Sequence, residues 1–366
     1  MSRLIVLIPE GYFIEYHVYS VGSDSVATDG HATKPWEACS LEWTGKIRFR
    51  GEGLSLEELR KLIGKYSPEA IAVRILYGGE EFKRTQIYDR SILERLESLA
   101  ARSPLHIPPS VRLLKALERI VPTPEIYLFF ETAFFANLPL GERTYAIDGN
   151  LSEAYGEGLG DIRRYGYHGL FHSALAGKIK ERGIDARKIL SICLEPIPEV
   201  AGIYDGKPVT VSGGSTPLEG LPGNSTCGEL DPGIILLLEE KKKWGPERIN
   251  EMLSRKSGVT ALVGRNATIA EVLRGGRDFE KASDLLEYRI LLSCGAAMSV
   301  MGGFDTVAFS GRYVEAADRL AGRLIPKLIG ASSAPFHPAL FFMQDTLDRL
   351  IAESYCRSRL ATTMTF

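Results

Sequence analysis

Four side chains in this 366-residue sequence have the chemistry to handle two anions at once: Arg74, His106, Glu131 and His168. A planar guanidinium binds carboxylate or phosphate bidentately and stays charged. Histidines add directional donors, and a carboxylate holds such donors, or a magnesium ion, in place. Taken singly, each has a plainer reading. A lone histidine in an α/β core is more often a satisfied structural group, and a lone arginine beside glycines is usually a surface residue.

The elements that must position these groups alternate between strand and helix. Leu4 to Ile8 suits a buried strand, and Tyr12 to Ser20 follows the Pro9-Glu10-Gly11 turn as a second. The same design recurs at Ile189 to Leu194, with a proline-bearing loop from Glu195 to Glu199, a strand at Val200 to Tyr204 and a hairpin at Asp205-Gly206 into Lys207 to Val211. Two such openings, one per half, suggest internal duplication. Further strands are expected at Ala70 to Leu76, Ile126 to Glu131 and Thr306 to Ser310. Helices are expected at Ser55 to Tyr66, with Ser55 and Glu58 as a capping box, and at Ile92 to Ala101, Gly169 to Arg182, Gly233 to Lys243, Asp278 to Met301, Val314 to Leu328 and Asp345 to Tyr355. The alternation makes this an α/β protein.

Length and composition bound what such a protein does. At 366 residues the chain exceeds the usual single-core size, so two domains are expected. A net charge of -2 offers no basic footprint for nucleic acid or an anionic membrane. The mixed-charge run Glu239-Glu240-Lys241-Lys242-Lys243 reads as a solvated helix end. Five cysteines, at 39, 193, 227, 294 and 356, form no short-spaced chelating pair, and their odd number suits no disulfide framework. Reduced thiols in a cytoplasmic protein are expected. Met1-Ser2-Arg3 runs into a strand-like segment without the apolar region of a signal peptide, and Leu285 to Val300, interrupted by Glu287 and Arg289, reads as a buried helix instead of a membrane span.

Two segments carry a family resemblance. Arg163-Arg164-Tyr165-Gly166-Tyr167-His168-Gly169 and Thr216-Pro217-Leu218-Glu219-Gly220 resemble signatures of the acetate kinases, short-chain carboxylate phosphotransferases of the sugar kinase, Hsp70 and actin superfamily. Val73-Arg74-Ile75-Leu76-Tyr77-Gly78-Gly79 is similar to the family's His-Arg-Val-Val-His-Gly-Gly, which places Arg74 at the arginine that binds the carboxylate and the transferring phosphoryl group. Pro104-Leu105-His106-Ile107-Pro108 and Phe130-Glu131-Thr132-Ala133-Phe134 match further motifs, with Glu131 in place of the catalytic aspartate. The resemblance implies that His168 contacts the phosphoryl group and that Leu76, Leu105, Tyr167 and Pro217 form the apolar acetate pocket. Tyr167 for phenylalanine and Leu76 for valine would crowd it, which argues against longer acids. It also implies two actin-like, ribonuclease H-like domains with an interdomain cleft, spanning 1–149 and 150–344, with the C-terminal helix in 345–366 a candidate addition to the first. Family members commonly dimerise, so a homodimer is expected, with the apolar segment 285–303 a candidate interface.

The nucleotide side departs from the family pattern. Of the first phosphate loop only Gly11 survives, in Pro9-Glu10-Gly11-Tyr12-Phe13, and the second becomes Cys193-Leu194-Glu195-Pro196-Ile197-Pro198-Glu199. Glycines let backbone N–H groups approach phosphate, whereas prolines have none to offer. Glu10, Glu195 and Glu199 would set carboxylates where polyphosphate lies, each like-charge pair costing roughly 1 kcal/mol at about 4 Å in water and about 4 at an effective dielectric near 20. Thr226 stands where the family has a second active-site arginine, Thr268 and Ala270 replace an adenosine-site Asp and Arg, and Ser310-Gly311-Arg312 keeps Gly311 while adding Arg312 as a candidate replacement cation. Near the C-terminus the metal-binding glutamate falls near Asp348, so Glu131 and Asp348 are the candidate magnesium ligands, with Glu10 and Glu195 as substitutes.

Two functions from different classes follow. One is an acetate kinase-like phosphotransferase that interconverts a small carboxylate and its acyl phosphate with Mg2+ and ATP, or with pyrophosphate or another donor. The other is an inactive relative that binds a metabolite or a protein partner through the retained fold.

Overall fold

The computed structural model describes residues 2–10, 13–22, 39–50, 53–100, 107–120, 124–148, 162–330 and 337–363. These divide into two compact units. The first is built mainly from the described residues up to Ala133 and from Thr346 onward, the second from Phe134–Ile147 and Ile162–Asp345.

In the first unit, β1 (Ser2–Glu10), β2 (Phe13–Val21), β3 (Cys39–Arg50), β4 (Gly53–Leu54), β5 (Ala70–Ile75), β6 (Gln86–Ile87) and β7 (Glu125–Phe130) form one sheet in the order β4-β3-β2-β1-β5-β7-β6. Strands β1, β2 and β3 pair antiparallel, and β1, β5 and β7 pair parallel. The second unit repeats the plan with β8 (Lys188–Cys193), β9 (Glu199–Tyr204), β10 (Lys207–Val211), β11 (Thr306–Ser310) and β12 (Ala339–Phe342), ordered β10-β9-β8-β11-β12. Here too an antiparallel meander joins a pair of parallel strands. The two sheets share a five-strand layout, the duplication that the paired strand-loop-strand openings predict.

Central strands covered on both faces must be apolar at every position, not at alternate ones. Leu4 to Leu7 and Ile71 to Val73 are all fully buried. Strand β3 escapes sequence reading for the converse reason: it is 12 residues long but lacks an apolar run, and Leu41 and Trp43 are half exposed. It is fixed by pairing with β2, where Tyr16 lies directly across Gly45; a β-carbon at Gly45 would come within 2.4–2.7 Å of the Tyr16 ring and hydroxyl.

Local capping sets the helices. Ser55 accepts the Glu58 N–H at 3.3 Å to open the helix Leu56–Tyr66, and Ser67 closes it in the left-handed region. The next helix starts at Arg90, two residues before the expected Ile92, because Asp89 accepts the Ile92 N–H. The C-terminal helix Leu347–Thr363 packs on β1, β2 and β5 of the first unit, with Leu350, Ile351, Ala352 and Tyr355 buried and the Tyr355 ring edge-on to Tyr127.

The segment Phe134–Ile147 is held by the second unit. Phe135 and Leu138 pack with Ala201 and Val211, and Glu142 accepts from the Thr210 hydroxyl at 2.8 Å and the Val211 N–H at 2.9 Å. Helix Glu280–Met301 crosses β9 and β10 of the same unit. The helix expected to be buried is so on one face, with Leu286, Ile290, Cys294 and Ala297, whereas Tyr288, Leu292 and Val300 are about half exposed. Among the described residues no helix is long and apolar enough to cross a membrane.

Gly202 in β9 admits this helix, since a β-carbon there would sit 2.8 Å from Thr210 Cγ2 and 3.2 Å from Ala297 Cβ. Gly202→Ala is therefore expected to destabilise the second unit by about 1–3 kcal/mol through overpacking, read as a lower urea midpoint at unchanged m-value.

Candidate functional site

Parallel strands deliver the first group of side chains. Glu10 ends β1, Arg74 lies next to the end of β5, and Glu131 follows directly after β7, so the carboxyl ends of three adjacent parallel strands bring them together. Arg74 Nε donates to Glu131 Oε1 at 2.8 Å, and its Nη1 lies 3.7 Å from Glu10 Oε1. Glu131 is wholly buried, whereas Glu10 is about one-third exposed. The adjoining turn is tight: the Gly78 N–H donates to Thr132 Oγ1 at 2.9 Å, and a β-carbon at Gly78 would meet Phe130 and the Phe82 carbonyl at 2.9 Å. Leu76 is half-buried beside it. His106, Leu105 and Gly11 lie outside the described residues.

His168 and Tyr167 belong to the second unit, where they precede the helix Gly169–Glu181. Their backbone N–H groups both donate to the Glu199 carboxylate, at 2.9 Å from Tyr167 and 3.1 Å from His168. Glu199 thus supplies the anion that a helix N-terminus favours. One turn into the helix, His172 Nε2 stands 3.3 Å from Glu199 Oε1, outside hydrogen-bond alignment, while its Nδ1 meets the Ser191 hydroxyl at 2.7 Å. The His168 ring is oriented from the same loop: Nε2 lies 2.8 Å from the Ile197 carbonyl, an acceptor only, so Nε2 carries a proton and donates. His168 Nδ1 is buried without a hydrogen-bond partner. Tyr167 donates its hydroxyl to the Ser215 carbonyl at 2.6 Å, which sets it beside the turn that carries Pro217.

Glu199 is fully enclosed. Burial, the largest single influence, pushes its carboxyl pKa up, but the His172 contact, the charges of His168 and His172 and the Tyr167 N–H together pull it below the ordinary value. Glu195 is matched in another way: Arg312 donates to it twice, from its backbone N–H at 2.6 Å and from Nε at 2.8 Å. The sequence reading sets Glu10, Glu195 and Glu199 as carboxylates where polyphosphate would lie, repelling it unless a metal intervenes. In the structure each of these carboxylates faces a cation, a histidine or backbone donors in its own unit. Arg312, the candidate replacement cation, spends its Nε on Glu195.

The remaining replacements have the following surroundings. Gly311, at φ +94°, lies against Leu194, whose carbonyl oxygen would be 2.6 Å from any β-carbon there. Thr226 is buried with its hydroxyl unpaired. Thr268 and Glu271 make a full capping box on the helix Ile269–Arg274, and Ala270 is buried. Asp348 accepts the Tyr19 hydroxyl at 2.6 Å and pairs with His17 at 3.1 Å inside the first unit. Among the described residues no three His, Cys, Asp or Glu side chains converge as a metal cage. Magnesium usually takes only one or two carboxylates along with phosphate oxygens and water, and Glu131 and Glu10 are oxygen donors of that kind.

Sequence reasoning missed His172, Ser191 and the partnership of Glu199 with His168. The i, i+4 spacing of the two histidines, which puts them on one helix face, was the available signal.

A profile described as the Acetokinase family matches residues 54–330. An acetate kinase from Clostridium novyi (strain NT) is 29% identical over 266 residues, covering 71% of this chain and 65% of that protein. One from Carboxydothermus hydrogenoformans is 33% identical over 256 residues, covering 68% and 63%. The match thus spans just under two thirds of the length of these curated relatives. Among solved structures, a propionate kinase from Francisella tularensis subsp. tularensis SCHU S4 has a TM-score of 0.78 at 19% identity, covering 96% of this chain and 98% of that one. A Porphyromonas gingivalis acetate kinase has a TM-score of 0.78 at 20% identity, covering 98% and 100%. At those identities the likeness is one of fold.

A depressed carboxyl pKa contributes stability above the ordinary value of 4.5 that is lost as pH falls through the lower native value. Glu199→Gln is expected to cost about 1–3 kcal/mol at neutral pH. The gap from wild type should close in acid as the native carboxyl takes up its proton; urea titrations across pH check both.

Proposed function

Because this chain belongs to the acetokinase family, we propose that it is a carboxylate phosphotransferase acting on a short-chain acid such as acetate. A carboxylate oxygen attacks the terminal phosphorus of the donor, the bond from phosphorus to the leaving phosphate oxygen breaks, and an acyl phosphate forms. Two anions must meet, and charge spreads over the equatorial oxygens, so positioning and cations supply nearly all of the catalysis.

The observation that carries this reading is the Arg74 guanidinium, held by buried Glu131 at 2.8 Å with Glu10 beside it. A guanidinium oriented through Nε keeps its outer edge directed, which favours bidentate capture of carboxylate or phosphate. His168 would contact the transferring phosphoryl group after local opening exposes its unpaired Nδ1, with Nε2 kept on the Ile197 carbonyl. His106 would add a donor, and Leu76, Leu105, Tyr167 and Pro217 would enclose the alkyl group. Glu131 and Glu10 would be the protein oxygens available to hold magnesium, which would supply neutralisation of phosphate charge.

The donor is the open half of the proposal. Prolines and branched Ile197 stand in the second phosphate loop, and Thr268 is committed to a helix cap. The first weakens contacts to any polyphosphate, whereas the second, at an adenosine position, favours a donor that needs few contacts beyond its phosphates, such as pyrophosphate, alongside ATP. A second copy of the chain is the expected partner, through the exposed face of helix Glu280–Met301.

A hydroxamate assay for acyl phosphate, run with acetate, propionate and butyrate against ATP, GTP and pyrophosphate with magnesium, tests the reaction. At least one pair is expected to turn over. Arg74→Ala should lower kcat about a thousandfold or more with the fold retained, and His168→Gln about a hundredfold or more. No acyl phosphate from any pair would leave the chain a binding module instead. For assembly, sedimentation velocity should give a dimer in wild type and a monomer in Tyr288→Glu/Leu292→Glu.

A further inference from the structure

Three of the five cysteines lie in the second unit, where Cys193 and Cys294 are buried and Cys227 is half-buried. Cys39 and Cys356 differ. They are separated by 317 residues in sequence, yet their sulfurs are 2.9 Å apart in the first unit. That is closer than unbonded sulfur atoms ordinarily rest, and within about 1 Å of the roughly 2.05 Å covalent S–S length.

The surrounding chain holds them there. Cys39 begins β3, where it pairs with Val21 of β2, and Cys356 lies within the C-terminal helix. Arg349 of that helix donates from Nη1 to the Cys39 carbonyl at 2.7 Å and from Nε to Glu353 at 2.9 Å, which fastens the helix to the strand at a second point. The sulfurs therefore meet without a large backbone movement. The hydrogen bond from Cys356 lowers the Cys39 thiol pKa against the opposing effect of burial, and the Arg349 charge adds to the lowering. Thiolate is the form that attacks a disulfide.

We propose that Cys39 and Cys356 are a modification site: a reversible intrachain disulfide formed by exchange with a low-molecular-weight disulfide. Cys39 thiolate attacks one sulfur of the small disulfide, forms a mixed disulfide and expels one small thiolate. Cys356, after losing its proton to solvent, attacks the Cys39 sulfur and expels the second. The two protein thiols are oxidised, the small disulfide is reduced to two thiols, and atoms and electrons balance. Both side chains are at most 5% exposed, so exchange proceeds through transient opening of the C-terminal helix and is slow. The cross-link closes a very long loop, the geometry in which the unfolded chain loses most entropy.

The test uses the purified full chain, reduced and then equilibrated with oxidised glutathione. Intact mass should fall by about 2 Da, and a non-reducing peptide map should join the peptides holding Cys39 and Cys356. The oxidised protein should melt several degrees higher than the reduced one. Cys356→Ser should stop at a glutathione adduct on Cys39, and Cys39→Ser/Cys356→Ser should show no cross-link. Five alkylatable thiols remaining in oxidised wild type would overturn the proposal. So would a cross-link through Cys193, Cys227 or Cys294, or a Cys39–Cys356 bond no more abundant than in the urea-unfolded chain. None of these readouts depends on phosphotransfer.

Discussion

The Glu131 carboxylate is wholly out of water, and Arg74 donates to it at 2.8 Å. A hydrogen-bonded ion pair this far from water is a stronger constraint on geometry than a pair on the surface. The pair also fixes chemistry. With Nε committed to Glu131, the guanidinium plane cannot swing, and the carboxyl ends of β1, β5 and β7 must keep their register for Glu10, Arg74 and Glu131 to meet.

The second unit applies the same constraint with weaker bases. Glu199 is enclosed, and is met by two N–H groups at a helix start and by the imidazole of His172, with the His168 ring nearby. Substituting a carboxylate for small residues of a phosphate loop looks at first like electrostatic damage. In the folded chain the carboxylate organises that loop: it is tied to the segment before the helix, and the Ile197 carbonyl chooses the His168 tautomer.

Much of the architecture is legible in the residues alone. Continuous apolar runs mark β1, β5, β8 and β11, and Ser55, Pro232 and Gly302 punctuate helices where composition says they should. What escapes depends on partners distant in sequence. Strand β3 is held by β2 and by the Tyr16–Gly45 contact, not by its own pattern. Phe134–Ile147 joins the second unit through Ala201 and Val211, residues more than fifty positions later. In the site, residue types were readable from order and neighbours, but charge compensation was not. The Glu195–Arg312 pair spans 117 positions, and no local pattern announces it.

The C-terminal helix has a bearing on synthesis. Its buried residues complete a wall over β1 and β5, strands made among the first seventy-five residues. During translation the amino-terminal sheet therefore emerges with an apolar face that nothing yet covers, while the later unit already has all of its own strands and helices once residue 345 has appeared. Domains usually mature in the order in which they are made. Here that order is inverted: the unit begun first is completed only after the second, when the helix Leu347–Thr363 has left the ribosome.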